Sequence, residues 1–180
     1  MTARHRLRSG LLALILPISG CVNIPNTYMP PVERKPVTGY AAGSVTSVVS
    51  LGDPGADAHI VKDISANVES GAWRWAFKRP ELRFALTRVQ GVKLVMDLAI
   101  AKQTFDATGP VSISFFVNDR LLETVRYDQP GNQLFEKPVP ADWIRTEGFT
   151  TVAAEIDKLY KSPADGAELG FILSRVGFVQ

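Results

Sequence analysis

Apolar and polar residues alternate with a period of two through most of the chain after residue 44. The alternation is clearest in four runs, residues 81–87, 93–100, 111–117 and 151–156, and a further β-rich run covers residues 169–179. Strict alternation indicates β-strands with one buried face. We expect the following residues to face the core: Leu82, Phe84, Leu86, Leu94, Met96, Leu98, Ile100, Val111, Ile113, Phe115, Val117, Val152, Ala154 and Ile156.

Turn-forming residues separate these runs. Glycine, proline, asparagine and aspartate cluster at residues 91, 108–110, 118–119, 128–132 and 162–166. This spacing of strands and turns predicts an all-β antiparallel sandwich over residues 44–180. Asn118-Asp119 predicts a tight hairpin, because both residue types tolerate positive φ. Short helical turns are expected at residues 141–144 and 157–161.

The chain begins with a different pattern. Arg4, Arg6 and Arg8 precede eight apolar residues at 11–18, and small residues then lead to Cys21, the one cysteine in the sequence. A basic start, a short apolar run and small residues at the cut are the layout of a secretory signal peptide. A membrane-spanning helix does not fit, since it needs about 20 apolar residues.

Ile18-Ser19-Gly20-Cys21 resembles the lipobox of bacterial lipoproteins. The resemblance implies cleavage before Cys21, acylation of its sulfur and attachment to a membrane through the lipid. Val22 stands where inner-membrane lipoproteins usually carry aspartate, so the resemblance implies the outer membrane. An ordinary signal peptide cleaved before an unmodified cysteine is the alternative.

Residues 22–43 contain four prolines and little apolar periodicity, which favours an extended tether. We therefore divide the chain into a leader (1–20), a lipidated cysteine with a proline-rich linker (21–43) and a sandwich domain (44–180). The 20 Lys+Arg and 18 Asp+Glu become 17 and 18 without the three arginines of the leader, a net charge of −1. This balance does not favour nucleic acid as a partner.

Residues for catalysis or metal binding are scarce. His59 is the one histidine after the leader, and its loop-like surroundings predict a surface histidine rather than part of a Ser-His-Asp triad. A lone cysteine argues against zinc, and although Asp53, Asp57 and Asp165 suit calcium, no spaced acidic loop contains them. We expect no enzyme activity, no metal and no cofactor.

Three segments resemble a galactose-binding-like jelly-roll module. They are Trp73-Arg74-Trp75, Val117-Asn-Asp-Arg-Leu-Leu122, and Asp165-Gly-Ala-Glu-Leu-Gly-Phe171 before the last strand. Asp119 and Ala167 depart from the glycine and the arginine of the family pattern. The resemblance implies a β-sandwich of the kind that accompanies carbohydrate-active enzymes and occurs in envelope proteins.

The first group of candidate ligand-binding residues lies near position 75. Alternation places Trp73, Trp75 and Phe77 on one face of a strand. We expect this face to pack in the core, as large aromatics spaced by two usually do, with Arg74 and Lys78 facing outward. A ligand platform built on Arg74 and Trp75 is the alternative.

The second group lies in loops, which carry binding sites more often than sheet faces do. The loop candidates are Tyr127, Asp128, Gln129 and Asn132 between two strands, Tyr160, Lys161 and Asp165 in a later connection, and Trp143, which is expected to cap one end of the sandwich. Simple turn formation is the alternative explanation for the polar members.

These observations favour an envelope lipoprotein whose sandwich is a non-catalytic binding module for a glycan or exopolysaccharide. A structural or accessory lipoprotein that docks another envelope protein is the alternative. A glycan site requires exposed Trp or Tyr beside Arg, Asn or Asp. Protein docking requires a flat apolar patch or an open edge strand.

The lipobox resemblance makes a direct prediction about Cys21. We expect Cys21→Ser to abolish membrane association, because the hydroxyl cannot form the thioether that carries the lipid. Metabolic labelling with a radioactive fatty acid, followed by membrane fractionation, measures both effects. Labelling that persists in Cys21→Ser would refute the assignment.

Overall fold

The computed structural model describes residues 45–180. The predicted leader, the lipidation site at Cys21 and the proline-rich linker lie outside the described residues. Within 45–180, no helix is long and apolar enough to cross a bilayer.

Residues 45–180 form eleven β-strands and one α-helix. The strands are β1 (Val48–Ser50), β2 (Ile60–Ile64), β3 (Arg74–Phe84), β4 (Lys93–Ile100), β5 (Val111–Val117), β6 (Arg120–Tyr127), β7 (Gly131–Pro138), β8 (Thr150–Ile156), β9 (Tyr160–Lys161), β10 (Glu168–Leu169) and β11 (Phe171–Val179). Helix α1 (Lys102–Thr108) lies between β4 and β5, and single 3-10 turns occupy Ala56–Ala58 and Ala141–Trp143.

Nine strands form one continuous sheet that curls into two layers. The hydrogen-bonded order is β6-β5-β8-β3-β11-β4-β7, with β2 also beside β3 and β1 also beside β11. We call β6, β5, β8 and the end of β3 the first layer, and the start of β3 with β11, β4 and β7 the second layer. All pairs are antiparallel, so the predicted antiparallel β-sandwich is confirmed.

Strand β3 belongs to both layers. Its residues 74–76 pair with β11, whereas residues 81–84 pair with β8. The intervening residues turn the strand from one layer to the other, and the register of β2 against β3 is irregular over the same stretch. Gly170 packs against this corner, where a Cβ would lie 2.5 Å from the Phe77 carbonyl oxygen, so no larger residue fits.

The apolar faces predicted from the alternation meet between the layers. All fourteen residues expected to face the core are buried. Phe115 on β5 and Phe135 on β7 stack across the layers with their ring centroids 3.7 Å apart. At the open side of the sandwich, the Lys137 ammonium on β7 lies 2.8 Å from the Glu123 carboxylate on β6. The apolar core holds the two layers face to face, and this partly exposed ion pair bridges their outer strands.

Three connections cross between the layers at one end, which we call the crossover end. They are the loops from β4 to β5, from β6 to β7, and from β8 to β11. Repeated crossing of this kind is how a jelly roll is built. At the opposite end, Asn118 and Asp119 have φ values of 48° and 62° and form the predicted hairpin turn between β5 and β6.

The sequence prediction of helix is partly wrong. The expected turn near residue 141 is confirmed, but Asp157–Lys161 is not helical, because the Asp157 N–H donates to the Ser112 carbonyl and continues the ladder with β5. Helix α1 was not predicted, because its seven residues show no amphipathic period. It ends at Gly109, whose φ of 69° suits glycine.

His59 is buried rather than at the surface, with a relative exposure of 2%. The Arg83 carbonyl lies 2.9 Å from Nδ1, and the Thr46 N–H points to Nε2 at 3.3 Å. Nδ1 must therefore carry the proton and Nε2 must accept, which is the neutral imidazole. The sequence interpretation was wrong because the residue after the 3-10 turn is bound to β3, where the Arg83 N–H donates to the His59 carbonyl and the imidazole lies against the Phe84 ring.

This buried histidine makes stability depend on pH. Burial lowers the pKa of His59 below its usual value of 6.5, the Arg83 charge lowers it further, and the hydrogen bond to the Arg83 carbonyl opposes both. The unfolded chain therefore binds the proton more readily, so we expect the free energy of unfolding to fall as pH drops below about 6.5.

Urea unfolding of the wild type and of His59→Gln between pH 8 and pH 5 tests this expectation. The amide introduced by the substitution does not take up a proton in this range, so the variant should lose most of the pH dependence. Two curves that stay parallel would contradict it.

Candidate functional site

Trp75 on β3 and Trp73 just before the strand both face outward, which corrects the sequence interpretation. Trp73, Trp75 and Phe77 are partly exposed, whereas Arg74 and Ala76 face the core. Along β3 the buried residues all have even numbers. Leu82 and Phe84 pack in the core, and this fixes which side of the strand faces inward. Residues with even numbers therefore point inward even at the start of the strand, where one of them is an arginine.

Arg74 is a buried structural residue, with a relative exposure of 4%. Its Nε donates to the Leu51 carbonyl at 2.9 Å, and its Nη1 donates to the Asp57 carboxylate at 2.7 Å. A guanidinium with bonds of this quality can be buried without leaving its donors unpaired. Arg74 is therefore unsuited to the outward ligand contact that the sequence suggested.

Trp75 and Asn132 lie in one row across the outer face of the second layer. Trp75 pairs with Ile172 on β11, Ile172 pairs with Ala99 on β4, and Ala99 pairs with Asn132 on β7. Directly opposed residues of antiparallel strands share a face, so the four side chains stand side by side. Three strand spacings separate the ends of the row, about 14 Å. Trp73 packs edge-on against Trp75, with ring centroids 5.8 Å apart.

A second row lies next to the first. Arg175 pairs with Asp97, and Asp97 pairs with Leu134, which is 61% exposed. The register of β11 shifts between Leu173 and Arg175, so Ser174 is an extra residue in the strand. A bulge of this kind sets two successive side chains, Ser174 and Arg175, toward the outer face.

The two rows form a shallow depression that we call the outer groove. It consists of Trp75, Asp97, Ala99, Asn132, Leu134, Ile172, Ser174 and Arg175. Small side chains at its centre, Ala99 and Ser174, lie between the tryptophans on the β3 side and Asn132 with Leu134 on the β7 side. On the β7 side the groove contains a hollow of about 360 Å³ lined by Asp97, Leu98, Asn132, Gln133, Leu134 and Ser174.

The charges in the outer groove cancel. The Arg175 Nε donates to Asp97 Oδ2 at 2.7 Å. Both side chains keep substantial exposure, 46% for Arg175 and 37% for Asp97, so other polar atoms of the pair face solvent. The groove thus offers an aromatic surface, an amide, a hydroxyl and a compensated ion pair.

The loop candidates do not join this site as a group. Tyr127 is the last residue of β6 and is buried in the core, where burial and the nearby Glu123 carboxylate raise the pKa of Tyr127 to about 12. The sequence prediction that Tyr127 lies in a loop lining the site was wrong, because strand β6 continues to residue 127 and turns this side chain into the core. Asp128 is exposed and accepts from Arg126 Nε at 2.8 Å. Asn132 belongs to β7 rather than to the loop.

Asp165 and Trp143 lie elsewhere. Asp165 is exposed in the turn between β9 and β10, where hydrogen bonds from the Ser162 side chain and the Ala167 N–H lower the pKa of Asp165. Trp143 lies at the end opposite the crossover end, where its carbonyl accepts from Asn118 Nδ2. The Arg120 guanidinium covers the Trp143 ring at 5.6 Å, and the ring packs against the core, as expected for a residue that caps the sandwich.

Sequence reasoning missed Asp97, Leu134, Ser174 and Arg175. Alternation already placed Asp97 outward on its strand, but its neighbours depend on the register of three strands that are distant in sequence. One local signal was present. Ser174 and Arg175 are two consecutive polar residues inside an otherwise apolar, β-rich run, and a bulge allows two successive side chains to share the solvent face.

A larger hollow of about 640 Å³ lies at the end opposite the crossover end, between residues 85–92 and the last residues of the chain. Among the described residues that line it, Arg88 is the one with a charged side chain, and it donates to the Gln180 side chain at 3.1 Å. The one aromatic residue among the described residues that line this hollow, Phe178, is buried, whereas the outer groove has the partly exposed Trp75 in one row with Asn132. We therefore place the candidate site in the outer groove rather than in the larger hollow.

No protein-family model and no curated protein matches this chain. Solved structures give distant similarities. An acetyl xylan esterase from the rumen bacterium Butyrivibrio proteoclasticus aligns over 75% of this chain and 32% of its own, at 13% identity and a TM-score of 0.44. A family 115 4-O-methyl-alpha-glucuronidase with specificity for decorated arabinogalactans aligns over 60% of this chain and 14% of its own, at 10% identity and a TM-score of 0.38.

A family 35 carbohydrate-binding module from Clostridium thermocellum aligns over 69% of this chain and 94% of its own, at 8% identity and a TM-score of 0.40. This chain therefore spans less than half the length of the esterase and of the glucuronidase, and most of the length of the module. All three TM-scores lie below 0.5, so a function for this chain must come from its own side chains.

The buried position of Arg74 and the partly exposed position of Trp75 predict different losses of stability on mutation. Arg74→Met should lower the free energy of unfolding by about 2–3 kcal/mol, because it leaves the buried Leu51 carbonyl unpaired. Trp75→Ala should cost only about 1–2 kcal/mol, since the ring is partly exposed, against about 3–5 kcal/mol for the fully buried control Phe84→Ala. Urea unfolding followed by circular dichroism measures all three, and a Trp75→Ala cost equal to that of Phe84→Ala would show that Trp75 is a core residue.

Proposed function

We propose that this protein is a non-catalytic glycan-binding module and that the outer groove is its binding site. The observation that carries the proposal is the row from Trp75 to Asn132, with Asp97, Ser174 and Arg175 beside it. Aromatic surface and hydrogen-bonding side chains are thereby gathered on one rigid sheet face.

The chemistry of sugars suits this combination. A sugar ring has an apolar face of C–H groups and a rim of hydroxyls that both donate and accept hydrogen bonds. A partly exposed indole can stack on the C–H face, because aromatic rings provide a large apolar surface with an electron-rich face. The Asn132 amide, the Ser174 hydroxyl and the Asp97–Arg175 pair supply donors and acceptors for the hydroxyls.

The placement on strands favours binding without rearrangement. The groove residues lie on β4, β7 and β11, whose backbones are paired along the groove except at the Ser174 bulge, so little backbone entropy is lost when a ligand binds. Sites on strands also hold their side chains more accurately than sites on loops. An open groove about 14 Å across gives room for a short stretch of an oligosaccharide.

The sequence pattern at the N-terminus supports a location in the cell envelope for this binding function. We propose that the chain is a lipoprotein of the cell envelope, anchored in the outer membrane through Cys21, with residues 22–43 as a tether. A tether rich in proline would hold the sandwich away from the lipid surface, where a polysaccharide can reach the groove. The evidence for this location is the resemblance at residues 18–22.

A glycan array probed with the purified chain tests the proposed function. Trp75→Ala and Asn132→Ala should weaken binding of the array ligand by about tenfold or more, which corresponds to about 1.4 kcal/mol. Phe149→Ala is the matched control, because it also removes an exposed aromatic ring, but one that lies outside the outer groove and contacts Arg83 of the first layer. Its affinity should remain that of the wild type.

Two results would overturn this proposal. Binding lost equally in Phe149→Ala would place the site away from the outer groove. Absence of binding on the array, together with stoichiometric capture of one envelope protein in a pull-down, would instead favour the docking function that the sequence left open.

A further inference from the structure

We propose that the Asp97–Arg175 pair makes the outer groove selective for neutral glycans with hydroxyls on adjacent carbons, and against glycans that carry carboxylates. This inference rests on the proposed function and specifies its ligand. The pair lies on the groove floor beside Ser174, one row from Trp75 and Asn132.

The pair has unused hydrogen-bonding capacity on both members. Arg175 Nε and Asp97 Oδ2 are joined at 2.7 Å, and within residues 45–180 neither side chain makes another hydrogen bond. Asp97 Oδ1 is therefore available to accept, and the Arg175 Nη groups are available to donate. A hydroxyl that donates to Asp97 and a neighbouring hydroxyl that accepts from Arg175 would satisfy both atoms, and neutral sugars carry hydroxyls in such pairs.

A carboxylate on the sugar cannot satisfy both members. It could accept from Arg175, but it would then compete with Asp97 for the guanidinium and would lie beside the Asp97 oxygens. The sugar carboxylate and the Asp97 carboxylate would repel each other when both contact Arg175. The binding energy gained at Arg175 would therefore be offset by this repulsion. A uronate should therefore bind less well than the neutral sugar of the same shape.

The surroundings of the pair do not change this balance. Further along the same face, Lys93 on β4 and Glu136 on β7 form a second cross-strand ion pair with Nζ and Oε1 2.7 Å apart, and Val95 separates Lys93 from Asp97 on β4. Each pair has one cation and one anion, so these four charged side chains contribute no net field that would attract an anionic polymer.

An array of matched glycans tests the inference. It carries gluco-, manno- and galacto-oligosaccharides, each printed beside its counterpart in which the C6 hydroxyls are oxidised to carboxylates. The wild-type chain should bind a neutral member at least about tenfold more tightly than its uronate counterpart. Binding of the neutral member should not change when the salt concentration is raised, because no net charge is matched.

Variants of the pair give the sharper readout. Asp97→Asn keeps the shape but leaves Arg175 without its carboxylate, so selectivity should shift toward the uronate by about tenfold or more, while the neutral glycan binds less well. Glu136→Gln is the matched control, since it removes one charge from the neighbouring ion pair and should leave the selectivity unchanged. Circular dichroism of both variants should match that of the wild type.

The outcomes separate this inference from the proposed function. If Trp75→Ala and Asn132→Ala abolish binding but the wild type prefers uronates, or if Asp97→Asn leaves selectivity unchanged, the groove binds glycans and the inference about the pair is wrong. If neither neutral nor oxidised glycans bind, both the proposed function and the inference fail.

Discussion

The two layers of this sandwich depend on a single strand that takes part in both. Residues 74–76 of β3 pair with β11 in the second layer, and residues 81–84 pair with β8 in the first. The strand can turn between them because β2 pairs with it irregularly and because Gly170 leaves room at the corner. Once β3 is placed, the positions of β8 and β11 follow, and the remaining strands add to either side of them.

This sharing also decides which side chains are available for function. Leu82 and Phe84 pack in the core and set the phase of the whole strand, so Arg74 must point inward and Trp75 outward. Burial of Arg74 is tolerated because the Leu51 carbonyl and the Asp57 carboxylate accept its N–H groups. Trp75 is thereby left on the outer face, beside Ile172 of β11 and in one row with Ala99 of β4.

The outer groove arises where regular pairing is interrupted. The register shift at Ser174 adds one residue to β11, so the Ser174 hydroxyl and the Arg175 guanidinium both lie on the same face as Asp97. Aromatic and polar groups on that face come from four strands, with β3 and β11 separated by nearly a hundred residues. The loops, where the sequence candidates were concentrated, place Asp128, Trp143 and Asp165 at different parts of the surface.

The amino-acid sequence by itself determined the strand class, most of the core and the hairpin at Asn118-Asp119, because period-two burial and turn chemistry act between residues that are close in the chain. It also carried the leader pattern at Cys21. Only the tertiary structure decided that Arg74 and His59 are buried, that Trp75 is not in the core, and that Asn132 shares its row. These facts depend on strand register and on the layer that each half of β3 enters. Strand register and layer are both set by contacts between segments that are distant in sequence. The pattern of apolar and polar residues within one segment does not predict these contacts.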